Sequence, residues 1–411
     1  MIEIWLMEIG KGLLWLLGQP LLYWAVIVTM IASFIRIKQE RKTFGIRVFP
    51  IGFEWKGTLA TGLTAGVILS AGLILAGGVL PFSFLLFISL VTILLSIAGR
   101  LFLSPAYLFG LSILVVWIIS SFNLIPSDAL WLTEWEKISQ QLLILFMVLL
   151  LAVEGLLARR VKRNETFPKL IKGKRGKFVG QHLVRKLSVV PVLVPVPSGR
   201  LELTWDWWPL FPVEGQGISL MLVPLLIGFE QTFQGSFADE GARKHGNWLL
   251  ILSVFLGAVA YASFYFSFLV PVAAVTAILG KLLIHLWIRF ADLEKVPVFS
   301  PELDSLPILG VMPGSPADDM GLMVGEKIMK VNQIPVTNEH EFYQALQKNR
   351  TYIKLEVLNL EGEPRFVQRA MYEGEHHELG LIFVKEKPKF KLYSVQEESL
   401  MSSDMSHTGE G

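Results

Sequence analysis

Two His-Glu pairs, His340-Glu341 and His377-Glu378, are the residues best suited by type to hold a zinc ion and activate water. Zinc hydrolases of that kind set two histidines and a glutamate on one helical face, and neither pair is followed by a second histidine at the required spacing. No Gly-x-Ser-Gly turn offers a nucleophilic serine, and no Gly-rich phosphate loop ends in Lys-Ser or Lys-Thr. The chain has no cysteine, which excludes disulfides, thiolate metal sites and a thiol nucleophile. Three ionisable residues fall in apolar stretches: Glu154, Lys281 and His285. Such residues are functional candidates by default. Glu154 and His285 stand within about a turn or two of a cytoplasmic span end and Lys281 somewhat deeper, and snorkelling of the side chains to the interface is the expectation. The chain is therefore read as not an enzyme, with no cofactor and no metal.

Binding is the chemistry that the residues do support. Pro313-Gly314-Ser315-Pro316-Ala317 makes a turn and a short helix start, Gly321-Leu322 a second turn, and Ile328-Met329-Lys330-Val331 an alternating strand. This order resembles the centre of a PDZ domain. Glu326 stands where that pattern has Asp, and Gln333 where it has Gly after Asn332. A helix is expected after Asn338 as N-cap, with Glu341 reaching back and Phe342, Ala345 and Leu346 on one face. Two strands follow, about 352–358 and 365–368, joined at Glu361-Gly362. In PDZ domains a Gly-hydrophobic loop offers backbone N–H groups to a peptide's terminal carboxylate, and the next strand pairs with the peptide. Here that loop comes last, as in permuted PDZ domains. The resemblance assigns the groove to Leu379, Gly380, Leu381, Ile382 and Phe383, with Phe342 and Leu346 on the flanking helix. The alternative is a closing strand without a ligand.

These elements end a chain of 411 residues that is 53% hydrophobic and 18% charged, with mean hydropathy +0.53. That balance belongs to a membrane protein. The fold class expected is an α-helical polytopic membrane domain over 1–290, followed by a small α+β, permuted PDZ-like soluble domain over 300–386 and a disordered tail over 387–411. Residues 2–18 read as an interfacial helix broken at Gly18-Gln19-Pro20, and the first span as 21–35. Spans follow at 58–80, rich in glycine and so closely packed, then at 82–98, 101–121 and 138–158. Trp131 and Trp135 are expected at the outer interface. Residues 189–217 contain Pro191, Pro195, Pro197, Pro209 and Pro212 and are expected to resist both helix and sheet, with Trp205, Trp207 and Trp208 at the membrane surface. Residues 218–230 are too short to cross as a helix and read as a re-entrant segment. Residues 231–247 read as a polar loop, and 248–268 with 269–288 as a final hairpin of spans.

Charge sets the topology. Net charge is only +2, but Arg36, Lys38, Arg41, Lys42, Arg47 and Lys56 cluster after the first span, and eleven basic residues against one acid fill 159–186. The positive-inside rule puts both stretches in the cytoplasm. With about seven crossings the PDZ-like domain lies there too. Anionic lipid near 159–186 is a compatible partner; nucleic acid is not expected, because the run lacks stacking aromatics.

Short strings across the chain also resemble the MinJ family of polytopic division-site proteins of Bacillus-type bacteria. They are Gln19-Pro20-Leu21-Leu22-Tyr23-Trp24, residues 36–42, Arg47-Val48-Phe49, Ser104-Pro105-Ala106 and residues 223–229, in that order before the PDZ motif. The resemblance implies a scaffold at septa and poles. It would link a DivIVA-type scaffold to a MinD-type ATPase and so place the MinC inhibitor, with self-association open. The competing readings are an accessory subunit of a membrane protease or secretion system, and a transporter, which has only its span count in its favour.

Overall fold

The computed structural model describes residues 2–122, 134–173, 176–201, 217–301, 304–349, 351–370 and 379–384. Expectations for Trp131, Lys174, Arg175, Trp205, Trp207, Trp208, Pro209, Pro212, His377-Glu378 and the tail lie outside these residues. The chain divides into two compact units. The first comprises 1–32, 51–167 and 182–296; the second comprises 33–50, 168–181 and 297–411.

The helices of the first unit are α1 (Ile2–Leu17), α2 (Pro20–Phe44), α3 (Leu59–Ala76), α4 (Phe82–Ala98), α5 (Pro105–Phe122), α6 (Gln140–Arg159), α7 (Ala238–Ala262) and α8 (Leu269–Leu293), with α2 running on into the second unit. Pro20 and Pro105 open helices at the position where a missing N–H costs nothing. Six of these helices (α2, α3, α5, α6, α7 and α8) are long and apolar enough to cross a membrane, and α4 is an apolar helix of 17 residues. The loop expected over 231–247 is helix from residue 238 onward, so His245 sits inside α7. Trp135 is buried in the protein: its ring lies edge-on to Phe84 at 5.7 Å and its Nε1–H donates to Ser83 Oγ at 3.1 Å.

Paired strands stand where 189–201 were expected to be irregular and 218–230 re-entrant; residues 202–216 lie outside the described residues. Strands β1 (Phe167–Lys172), β2 (Phe178–Leu201) and β3 (Ile218–Phe233) form one sheet in that order, with β2 and β3 antiparallel from His182↔Phe233 to Pro197↔Ile218. Val190, Val192, Val194, Val196, Val223, Leu225 and Ile227 share a core with helices α3 to α8. Helix α3 lines the free edge of β2. Thr58 Oγ1 donates to Leu187 O at 2.8 Å, Leu193 N–H donates to Ser70 Oγ at 2.8 Å, and Leu80 N–H donates to Pro195 O at 3.0 Å. Between them Gly62 and Gly66 lie so close to the carbonyls of Val189 and Pro191 that a Cβ would overlap each oxygen.

The odd-numbered residues of β2 thus turn their polar backbone atoms toward α3 and away from β3. Alternate residues of a strand point these groups to the same side. Pro191 and Pro195 are among them, so their missing N–H groups remove no rung of the ladder. Pro224 faces Pro191 across the register and is outward for the same reason.

Glu154 and Lys281 do not snorkel. Both are buried and paired with each other; Ser104 Oγ donates to Glu154 and His245 Nε2 lies 3.1 Å from Lys281 Nζ. The cluster ties α6, α7, α8 and the segment entering α5. Half-buried His285 stands beside it, ring centroid 6.3 Å from that of His245. The basic clusters are likewise partly committed: Arg36 is buried against Glu40 at 2.8 Å, while Arg163, Arg185 and Lys186 pair with Asp239, Glu230 and Glu165.

In the second unit, β4 (Leu306–Val311), α9 (Pro316–Asp319), β5 (Lys327–Val331), β6 (Ile334–Pro335), α10 (Glu339–Lys348), β7 (Tyr352–Leu358), β8 (Pro364–Ala370) and β9 (Leu381–Phe383) follow in sequence. The strand order is β8-β7-β5-β4-β9, with β6 paired to β5. Ile328, Val331, Ile353, Leu355 and Val357 are the buried face; with α10's Phe342, Ala345 and Leu346 they belong to the core.

Candidate functional site

The expected groove is bounded by β9, which ends the sheet beside β4, and by α10. Two local devices fix α10. Asn338 Oδ1 accepts the Glu341 N–H at 2.9 Å, and Glu341 Oε2 accepts the N–H and hydroxyl of Thr337 at 2.8 and 2.9 Å. Those bonds to Thr337 hold the Glu341 carboxyl below its usual range. On the helix so capped, Phe342 reaches Phe383, ring centroids 5.0 Å apart.

The seven residues expected at the groove come together, but as core. Leu379, Leu381, Ile382, Phe383, Phe342 and Leu346 are all at most 4% exposed; Phe383 packs on Phe342 of α10, while Ile382, on the opposite face of β9, lies against Gly310. A ligand at this edge would meet backbone rather than open side-chain pockets. Gly380 is held from behind. Its carbonyl accepts the Met312 N–H at 2.8 Å, the Leu379 carbonyl accepts the Ala317 N–H at 3.0 Å, and a Cβ at Gly380 would overlap Ser315. Gly380 also has φ +83°, a left-handed conformation that costs other residues about 1–2 kcal/mol. A bulky residue there damages the fold itself and is no selective block of a ligand.

The Pro313-Gly314-Ser315-Pro316-Ala317 turn therefore cradles the Gly-hydrophobic loop. Ser315 caps α9, its Oγ accepting the Asp318 N–H at 3.3 Å. Glu326, in place of the usual Asp, keeps the turn's carboxylate: Oε2 accepts the Met323 N–H at 2.8 Å, and Arg365 lies at 3.0 Å. Burial pushes the Glu326 carboxyl above its usual range, against the pull of Met323 N–H and Arg365. Asn332 and Gln333 both have positive φ, 49° and 70°. The two-residue turn keeps its left-handed form without the customary Gly.

Among the described residues no cluster of three or more His, Asp or Glu is placed to hold a metal ion. Sequence reading missed Met312, Ser315 and Ala317 as the residues that hold the Gly380 loop, since nothing in their types announces a contact with a strand more than sixty positions later.

Apolar helices sufficient to cross a membrane, followed by a β-rich domain with this turn and closing strand, define a multi-span membrane protein with a PDZ domain at its C-terminal end. Residues 308–359 match the PDZ domain family, a segment that ends before β8 and β9. The chain is 36% identical over 389 residues to the cell division topological determinant MinJ of Bacillus subtilis (strain 168), covering 93% of this chain and 96% of that one. It is 26% identical over 265 residues to probable MinJ determinants of Lacticaseibacillus paracasei and Lacticaseibacillus casei (strain BD-II), covering 61% of this chain and 68% of each. The chain belongs to the MinJ family.

Proposed function

We propose that this protein is a non-enzymatic membrane scaffold for division-site selection. It recruits the Min division inhibitor, MinC with MinD, to septa and poles marked by a DivIVA-type scaffold. The observation that carries the reading is the 36% identity, over nearly the whole of both chains, to a protein named as a cell division topological determinant. The architecture is in keeping with it: apolar helices supply an anchor and a PDZ domain supplies a protein-binding surface. The basic stretches favour a cytoplasmic PDZ domain by the positive-inside rule. Arg159, Lys162, Lys172 and Lys177 are exposed and remain for anionic lipid.

For the groove, the reading is β-strand addition along β9, with a terminal carboxylate at the Gly380 loop. Pairwise capture of the purified full-length chain in detergent, against a MinD-type ATPase and a DivIVA-type scaffold, tests the recruitment. Both should be retained, and retention of at least one should fall when residues 300–411 are removed. Retention of neither, together with capture of a membrane protease or secretion subunit, would replace the scaffold with the accessory reading.

A further inference from the structure

The sheet face of the second unit that alternates with its buried face carries a pocket that the groove does not use. Lys330 on β5 is in register with Glu356 on β7, and Glu356 with Phe366 on β8, so the three side chains form one row across the sheet. Lys354 and Gln333 complete a cavity of about 140 Å³. Lys330 Nζ is 3.0 Å from Glu356. Lys354 makes no ion pair among the described residues, and its ammonium stands 5.2 Å from the centre of the Phe366 ring. Phe366 is 61% exposed.

The second observation is the backbone at Gln333. It occupies the latter half of a two-residue turn at φ 70°, where glycine is the unstrained choice. A long polar side chain occupies this strained position, and it lines the pocket. Strain of this sort collects where a side chain is needed for function.

The chemistry of the lining selects the ligand. Ligand and cofactor pockets run to about 300–1,000 Å³, and this one has room for little more than one side chain. Two ammonium groups against one carboxylate leave it net positive, and the Phe366 ring gives it an apolar wall. A lipid surface would need an open basic patch, whereas this lining holds two lysines, one of them paired with Glu356, beside an aromatic wall. We propose that this face is a second docking site, which takes an acidic peptide segment of a partner protein. An apolar side chain of the segment enters beside Phe366 and Gln333, and its carboxylates meet Lys354 and Lys330. The site is separate from the β9 groove and does not depend on the division-site reading.

The test uses a dye-labelled octapeptide with the sequence of residues 397–404, Glu-Glu-Ser-Leu-Met-Ser-Ser-Asp, capped as an amide so that it lacks the terminal carboxylate a PDZ groove would hold. It is titrated by fluorescence anisotropy into the full chain in neutral-lipid nanodiscs, and into a chain ending at residue 390, which lacks its own copy of that sequence. Binding by both chains is expected, weakened at least tenfold by Lys354→Glu and by Gln333→Gly; binding by the shortened chain alone would make the chain's own tail the occupant and overturn the proposal of a partner segment. The Gln333→Gly variant should unfold at the same temperature as the parent or higher, which separates loss of a contact from loss of the fold. Equal binding by parent and both variants overturns the proposal, as does binding by neither chain. Lys354-dependent binding of phosphatidylglycerol vesicles without binding of the peptide also overturns it, in favour of a membrane contact.

Discussion

Lys281 and Glu154 show how a charge survives among apolar helices: each is the other's partner, and Ser104 satisfies a further carboxylate lone pair. Removing one member of such a pair leaves an uncompensated charge, at about 3–5 kcal/mol, whereas replacing both with apolar groups is close to neutral. Glu154→Met and Lys281→Met should each lower the amount of folded protein in membranes, and the double variant should recover most of it. Fluorescence-detected size exclusion of a tagged chain reads this out. A double variant as poor as the singles would mean that the pair does more than pin helices. The three ionisable residues were visible in the sequence, but their mutual pairing was not. Position 154 and position 281 are joined only by the packing of α6 against α8, and a single side chain near a span end looks the same whether it reaches the interface or a partner.

Helix α3 and strand β2 show the opposite balance at the scale of elements. Thr58, Gly62, Gly66 and Ser70 recur every four residues, one stripe of α3, and the glycines of that segment were legible as a close-packing face. Their partner was not, because a membrane helix is expected to pack on another helix. The prolines of 189–217 argued against a sheet as long as their number was weighed rather than their spacing. Pro191, Pro195 and Pro197 are separated by even intervals, which keeps all three on one edge, while the valines at 190, 192, 194 and 196 alternate with them on the β period. A strand with Pro at three of its outward positions has fewer N–H donors on that edge, so against the bare backbone of a helix it needs few partners, such as Ser70 for the Leu193 N–H. Gly66→Leu should force α3 away from Pro191 and abolish stable insertion, while Pro191→Ala, which loses no ladder bond, should leave protein levels within about twofold. Immunoblots of membrane fractions would decide; tolerance of Gly66→Leu would contradict the contact.

For the whole molecule, the turn at 313–317, the N-cap at Asn338 and the final Gly-hydrophobic strand were readable because each is a local pattern with a fixed residue preference. The closed state of the groove was not, since alternation in a strand does not say which face a helix will cover. The docking surface on the outer sheet face escaped for another reason: its five lining residues come from three strands and a turn, and only Gln333 breaks a local rule.

The central claim is that the membrane anchor places a protein-binding domain at sites of division. The most direct measurement follows a fluorescent fusion in dividing rod-shaped cells, with and without residues 300–411. The account predicts bands at septa and poles for the full chain, with recruitment of the division inhibitor lost on truncation and cells altered in length. Uniform membrane fluorescence of the full chain, with cell length unchanged on truncation, would contradict it.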